Sequence, residues 1–155
     1  MAIEIEKKFL VKTIPENDIQ YSHHIKQGYI VRDKDKVIRI RQKGDDYFIT
    51  IKGNKVGITR FEFEYPIPKP DAKELFKHFC KKGLIEKTRH YVEHEGHTWE
   101  IDVFHGDNEG LVVAEIELES ENQDFSIPKW AGDEVTYQEK YYNMNLMKNP
   151  FKDWS

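Results

Sequence analysis

Apolar and polar residues alternate one for one in segment after segment of this chain, and most of the polar positions are ionised. Ile3, Ile5 and Phe9 alternate with Glu4, Glu6 and Lys8. Ile38 and Ile40 alternate with Arg39 and Arg41, and Phe61, Phe63 and Tyr65 with Arg60, Glu62 and Glu64. Trp99, Ile101 and Val103 alternate with Glu100 and Asp102, and Ala114, Ile116 and Leu118 with Glu115 and Glu117. Successive side chains of a strand point to opposite faces, so each segment reads as a strand with one apolar and one charged face. The pattern predicts strands over roughly 2–11, 26–32, 36–43, 46–53, 58–68, 85–95, 97–106 and 110–120. Gly44-Asp45-Asp46, Gly96 and the run from Gly106 to Gly110 supply turn chemistry between them. Links this short imply hairpins and an antiparallel sheet.

Three stretches read as helices. Residues 15–24 follow Pro15 and are weakly amphipathic. Residues 70–82 open on Pro70 and Asp71, carry an apolar stripe of Leu75, Phe76, Phe79 and Cys80, place Lys81 and Lys82 in the last turn, and stop at Gly83. Residues 136–148 put Tyr137, Tyr141, Met144 and Leu146 partly on one face and end before Pro150.

Composition narrows the class. A chain of 155 residues, 38% hydrophobic and 13% aromatic, can bury a core, and a single domain over residues 1–155 is expected. Charged residues reach 34%, yet the net charge is −4, which argues against a general nucleic-acid binder. One cysteine excludes an internal disulfide framework and fits a reducing compartment. No apolar run has the length of a membrane span. The N-terminal MAIEIEKKFL lacks a signal-peptide pattern, so a soluble cytoplasmic protein is expected. No glycine-rich phosphate loop and no G-x-S-x-G is present, which leaves P-loop and α/β-hydrolase readings without support.

Acids and bases are grouped by strand: Glu4/Glu6 and Glu115/Glu117 are paired acids, Arg39/Arg41 and Lys87/Arg89 paired bases. An open sheet would leave these faces wet; a closed barrel would gather them inside. A solvated face needs no such grouping, whereas a site holding metal beside phosphate does. Two Glu at i and i+2 lie about 6.6–6.8 Å apart along a strand, within reach of one hard cation or of two. Mg²⁺ takes one or two carboxylates together with substrate phosphates, and the Arg fork grips two phosphate oxygens at once. Lys52 adds a point charge on the face of Thr50.

Glu4-Ile5-Glu6-Lys7-Lys8 matches the ExExK motif of the CYTH superfamily, also called triphosphate tunnel metalloenzymes. The resemblance continues in order through Gln27-Gly28-Tyr29, Arg39-Ile40-Arg41, Thr50-Ile51-Lys52-Gly53, Arg60-Phe61-Glu62-Phe63-Glu64-Tyr65, Lys87-Thr88-Arg89, Trp99-Glu100-Ile101-Asp102 and Glu115-Ile116-Glu117. It implies an α+β, mainly antiparallel β fold: an eight-stranded closed β-barrel, or tunnel, with a charged interior and helices outside. It also implies a metal-dependent hydrolase of inorganic tripolyphosphate or a nucleoside triphosphate, most similar to the compact bacterial tripolyphosphatase-like members. The alternatives are a class IV-type adenylate cyclase, a thiamine triphosphatase, and a non-catalytic polyphosphate- or nucleotide-binding module.

Carried over residue by residue, the resemblance implies that Arg39, Arg41, Lys52, Lys87 and Arg89 grip the phosphates. Lys8 lies near the terminal phosphate and positions or activates water, with Tyr29 and Lys52 as further catalytic candidates. Glu4, Glu6, Glu115 and Glu117 hold Mg²⁺ or Mn²⁺. Glu62 and Glu64 orient the bases or add to the metal site, and Asp102 steadies a neighbouring Arg or Lys. Lys140-Tyr141-Tyr142-Asn143 resembles the start of the family's tunnel-plugging helix, where Arg often stands in place of Lys140. The partner is a triphosphate-bearing small molecule, with no membrane and no nucleic acid; apolar outer faces leave room for a homodimer. His90, His94 and His97 read as surface histidines and Cys80 as core. The apolar faces bearing Trp99, Ile101, Phe61 and Phe63 are expected to pack against outer helices.

Overall fold

A computed structural model describes residues 2–80 and 82–154; Lys81, assigned above to a helical last turn, lies outside the described residues. The alternating segments form β1 (Ile3–Val11), β2 (Ile19–Arg32), β3 (Lys36–Lys43), β4 (Asp46–Gly53), β5 (Thr59–Pro66), β6 (Ile85–His94), β7 (His97–Phe104) and β8 (Val112–Glu117). A short β9 (Ala131–Glu134) follows. All pairings are antiparallel, in the order β5-β4-β3-β2-β6-β7-β8-β1, and β1 pairs back onto β5, so eight strands close into a barrel. β1 closes it by dividing one edge. Ile3–Ile5 pair with β5, and Phe9 and Val11 pair with β9, while the other edge faces β8 through Glu6–Leu10. The β6–β7 hairpin turns on Glu95 and Gly96, both at positive φ, the geometry that matches strand twist in a two-residue loop.

The period-two pattern fails where sequence reading predicts helix over 15–24. Only Glu16–Asp18 make a single 3₁₀ turn; Ile19 onward is strand. Tyr21, Ser22, His23 and His24 lack an apolar alternation, and their conformation comes from tertiary pairing with β6. The helix α1 (Lys69–Phe79) begins one residue before the predicted Pro70 and ends at Phe79, short of residue 82; Phe79 is 57% exposed and leaves the stripe. The predicted C-terminal helix shrinks to a 3₁₀ turn at Glu139–Tyr141 and α2 (Asn143–Leu146). No helix among the described residues is long and apolar enough to cross a membrane.

Three apolar clusters hold the barrel. Outside β1, β7 and β8, Phe9, Trp99, Ile101, Ala114 and Ile116 are buried with Phe125 and Trp130 packed over them. The cover there is the connection between β8 and β9, not a helix as expected. Outside β3 and β4, Ile40 and Tyr47 pack with Ala72 and Cys80 of the α1 region. Gly28 of β2 lets this layer close, because a Cβ there would lie 2.8 Å from Cys80 Cβ and 2.8 Å from Leu84 Cδ2. The third cluster fills one end of the barrel with Ile85, Phe104, Leu111, Val113, Val135, Tyr141 and Leu146. Ile85, Phe104 and Val113 share the inner face with Lys87, Asp102 and Glu115, so the barrel is a cup with an apolar base. Contrary to expectation, Phe61 and Phe63 are not under a helix: they stack at 6.3 Å between ring centroids and stay exposed, with Ile3 and Ile51 beside them.

Candidate active site

The register brings the ionised faces together. Directly opposed across strand pairs are Glu4 and Arg60, Glu6 and Glu117, Lys8 and Glu115, and Glu100 and Glu115. The row continues with Arg89 opposite Asp102, Tyr29 opposite Arg39, Thr50 opposite Glu64, and Lys52 opposite Glu62. Opposed residues share a face, so these line one interior. A cavity of about 230 Å³ results. Of the residues selected from sequence, Glu4, Glu6, Lys8, Tyr29, Arg39, Arg41, Lys52, Glu62, Glu64, Lys87, Arg89, Glu115 and Glu117 all line it. Asp102 shares the inner face but is fully buried against Lys87 and Arg89 and does not reach the cavity surface.

The acids fall on the neighbouring strands β5, β1, β8 and β7, and the bases mainly on β3 and β6. Crowding shows in their acidities. Glu6 is pushed well above the usual carboxylate range by burial, then by the charges of Glu115 and Glu4. Glu62 rises to about 7 through burial and its hydrogen bond with Glu4. Burial works against ionisation of Glu4 too, but Lys52, at 3.2 Å, holds it down at about 2. Glu115 likewise overcomes burial through Lys8 at 3.5 Å and Arg89, and lies well below its ordinary value.

The bases are aimed by fixed acceptors. Asp102 accepts from Arg89 Nε at 2.8 Å and Nη2 at 2.9 Å, and lies 2.8 Å from Lys87 Nζ. Burial would raise its carboxyl, but Arg89 and then Lys87 hold it at about 2. Lys87 is brought down to about 7, because burial, Arg89 and Arg41 together outweigh Asp102. Arg41 drops to about 10 through burial and the charges of Arg39 and Arg89. Arg39 Nη2 donates to Thr50 Oγ1 at 3.1 Å and lies 3.4 Å from Glu64 Oε2. Lys52 lies 3.2 Å from Glu62 Oε2 as well as from Glu4.

Several lining residues escaped the sequence selection: Lys43, Lys55, Arg60, Glu100, Thr136, Tyr142, Asn143 and Met144. Lys43 and Glu100 extend the i, i+2 runs of Arg39/Arg41 and Asp102, a signal the pattern carried. Lys55 sits in the β4–β5 turn, where no alternation marks it. Thr136 to Met144 fall at the start of the predicted C-terminal helix, where resemblance alone marks Tyr142 and Asn143 and gives them no role at the site. Tyr142 is approached by two ammoniums, Lys55 Nζ at 4.8 Å and Lys8 Nζ at 5.7 Å from the ring centre. Lys140 instead lies over Tyr141 and Trp154, at 5.3 and 4.7 Å, and does not line the cavity.

Among the described residues no three acidic, His or Cys side chains converge as a ready cage for an ion. The donor set is nonetheless all hard oxygen. A cation held by one or two carboxylates, with water and substrate oxygens completing its shell, is the mode Mg²⁺ favours. The residues present fit that demand.

A closed antiparallel barrel whose interior faces a row of bases with a row of acids defines a class of charged-tunnel protein. The CYTH domain model matches residues 2–147, and the chain belongs to that family. It is 47% identical over 154 residues to an inorganic triphosphatase of Acetivibrio thermocellus, covering 99% of each chain. An inorganic triphosphatase of Nitrosomonas europaea is 36% identical over 147 residues, covering 92% of this chain and 95% of the relative. A crystal structure of an inorganic triphosphatase superimposes with a TM-score of 0.69 at 34% identity, covering 95% of both chains. A Pyrococcus horikoshii protein shares the fold alone, with a TM-score of 0.59 at 23% identity over 77% of this chain and 80% of that one.

Proposed function

We propose that this chain hydrolyses inorganic tripolyphosphate to pyrophosphate and orthophosphate inside the tunnel. The observation that carries this reading is the convergence of Lys8, Arg39, Arg41, Lys52, Lys87 and Arg89 with the Glu pairs of β1 and β8 on one small polar cavity. The names of two whole-length relatives support the choice of substrate. A triphosphate carries about four negative charges, and several bases are needed to take it out of water.

Arg39, Arg41, Lys52, Lys87 and Arg89 grip the phosphate oxygens. Glu64 holds Arg39, Asp102 holds Lys87 and Arg89, and Glu62 with Glu4 holds Lys52. Lys8, tied by Tyr141 O at 3.2 Å and Glu115 at 3.5 Å, positions the attacking water at the terminal phosphorus. Tyr29 lines the cavity beside Arg39 and orients the chain of phosphates. Water oxygen bonds to the terminal phosphorus as the bridging P–O bond breaks, the electron pair leaves on pyrophosphate, and the water proton is released. Positioning and charge neutralisation do most of the work in phosphoryl transfer. Mg²⁺ or Mn²⁺, held by Glu4, Glu6, Glu115 and Glu117, would supply further neutralisation on the phosphoryl oxygens.

A reducing, cytoplasmic setting agrees with the lone buried thiol of Cys80. The exposed stripe of Ile3, Ile51, Phe61 and Phe63 is where a homodimer would form, and sedimentation velocity reads its presence directly. The deciding experiment is phosphate release from tripolyphosphate, ATP, GTP and thiamine triphosphate with Mg²⁺ or Mn²⁺. Tripolyphosphate is expected to turn over fastest, and Lys8→Ala and Glu117→Ala are each expected to abolish release while keeping wild-type circular dichroism. Unchanged turnover in both variants, or cyclic AMP and pyrophosphate as the products of ATP, would sink the reading.

A further inference from the structure

Two neutral amides sit among the charges of the tunnel wall. Gln27 is fully buried on β2. Its carbonyl oxygen accepts two hydrogen bonds from Arg41, Nε at 2.9 Å and Nη2 at 2.7 Å. Its amide nitrogen donates to Tyr29 Oη at 2.8 Å and to Asn143 Oδ1 at 3.3 Å. That same Asn143 oxygen accepts from Lys87 Nζ at 2.8 Å. One carbonyl on the C-terminal turn therefore joins β2, β6 and, through Gln27, Arg41 on β3.

Hydrogen-bond capacity gives the arrangement its meaning. An ammonium has three donors. Lys87 gives one to Asp102 and one to Asn143, which leaves one for an anion. A guanidinium has five N–H groups; Arg41 gives two to Gln27, which leaves three. Among the described residues no carboxylate pairs with Arg41, whereas Arg39 has Glu64 and Arg89 has both Asp102 and Glu100. A carboxylate in place of Gln27 would orient Arg41 equally well but would also neutralise it. An amide orients the cation and leaves its charge for the incoming phosphate.

We propose that Gln27 and Asn143 are positioning residues for the phosphate grip, Gln27 aiming Arg41 and Asn143 aiming Lys87. On this view the C-terminal turn is part of the basic wall and not only a plug. The inference rests on the triphosphate reading above. Asn143 is partly exposed at the start of α2, so it can be changed without emptying the core.

The test compares Asn143→Leu and Asn143→Ala with Asn145→Ala. Asn145 Nδ2 donates to Glu139 O at 2.8 Å, which braces the same turn without lining the tunnel. Both Asn143 variants are expected to lower kcat/KM for tripolyphosphate by about 10- to 100-fold, carried mainly by a raised KM, since misaimed groups lose that much. Calorimetry should show metal-free tripolyphosphate binding weakened in parallel. Asn145→Ala is expected to lower the melting temperature without moving KM. The inference is overturned if the Asn143 variants keep kcat/KM within about twofold of wild type, or if Asn145→Ala raises KM as much as they do. A wild-type protein that neither binds nor hydrolyses tripolyphosphate would remove the functional reading and this inference with it. Wild-type turnover matched by the Asn143 variants would remove the inference alone.

Discussion

Asp102→Asn is nearly isosteric and removes the one charge that stands between two buried cations. In the native protein the Asp102 carboxylate meets Arg89 at 2.8 and 2.9 Å and Lys87 at 2.8 Å, with no exposure to solvent. Its carboxyl sits at about 2 against an ordinary 3.8, after Arg89 and Lys87 overcome the effect of burial. A depressed carboxyl contributes stability that is present above its ordinary pKa and is lost as pH falls through about 2. At about 1.4 kcal/mol per pKa unit that contribution is on the order of 2–3 kcal/mol. Removing one partner of a buried pair costs about 3–5 kcal/mol. Lys87 softens the loss, because an amine already lowered to about 7 can shed its proton. A destabilisation of about 2–4 kcal/mol near pH 6 is therefore expected. It should shrink by pH 8.5, where Lys87 is largely neutral in both proteins and Arg89 keeps only its contact with Glu100, at 3.4 Å. Urea denaturation followed by tryptophan fluorescence and far-UV circular dichroism at the two pH values measures both numbers. A loss below about 1 kcal/mol at pH 6, or a loss that grows with pH, would refute the account of Asp102 as the shared counterion.

Two further outcomes follow from the packing and the charge pattern. Gly28→Ala drives a methyl to within 2.8 Å of Cys80 and Leu84, so a loss of about 1–3 kcal/mol in thermal or urea unfolding is expected; wild-type stability would show that the α1 layer has slack. In the metal-free protein Glu6, Glu62 and Glu117 are all raised by burial and by neighbouring acids, with Glu62 at about 7. Carboxylates must lose their protons to bind a cation, so Mg²⁺ or Mn²⁺ affinity should climb between pH 6 and 8, with proton release seen as a buffer-dependent heat in titration calorimetry. A pH-independent affinity with no buffer effect would contradict the crowding of these acids.

What the alternation could reveal was the inner face. Glu4, Glu6 and Lys8 or Arg39 and Arg41 announce their direction because a strand has a period of two, and pairing then needs only register to gather them. Hairpin turns such as Glu95-Gly96 fix that register locally. The pattern was blind where conformation is imposed from outside. Tyr21 to His24 have no alternating apolar partner and follow a proline, which imitates a helix start, yet hydrogen bonding to β6 makes them strand. Ala131–Glu134 is too short and too polar to read as β9 and is strand because β1 has an edge left to fill. Gln27 lies on the inner face two residues from Tyr29, but an uncharged amide carries no mark of its partners. Asn143 reaches Lys87 from the C-terminal turn, a meeting that no local pattern in the chain records.

The double use of β1 sets the order of assembly. Its backbone can pair only with β5, β8 and β9, and the contact between Lys8 and Thr136 spans 128 residues. During synthesis β1 has an early partner only in β5, through Ile3–Ile5; its edge toward β8 and the stretch from Phe9 to Val11 must wait until β8 and β9 have left the ribosome. Contacts this remote in sequence slow folding. The last seam to close is then the one that joins the Glu pairs of β1 and β8, so a chain arrested before it would hold its bases against the acids of β5 and β7 while those two pairs stayed apart.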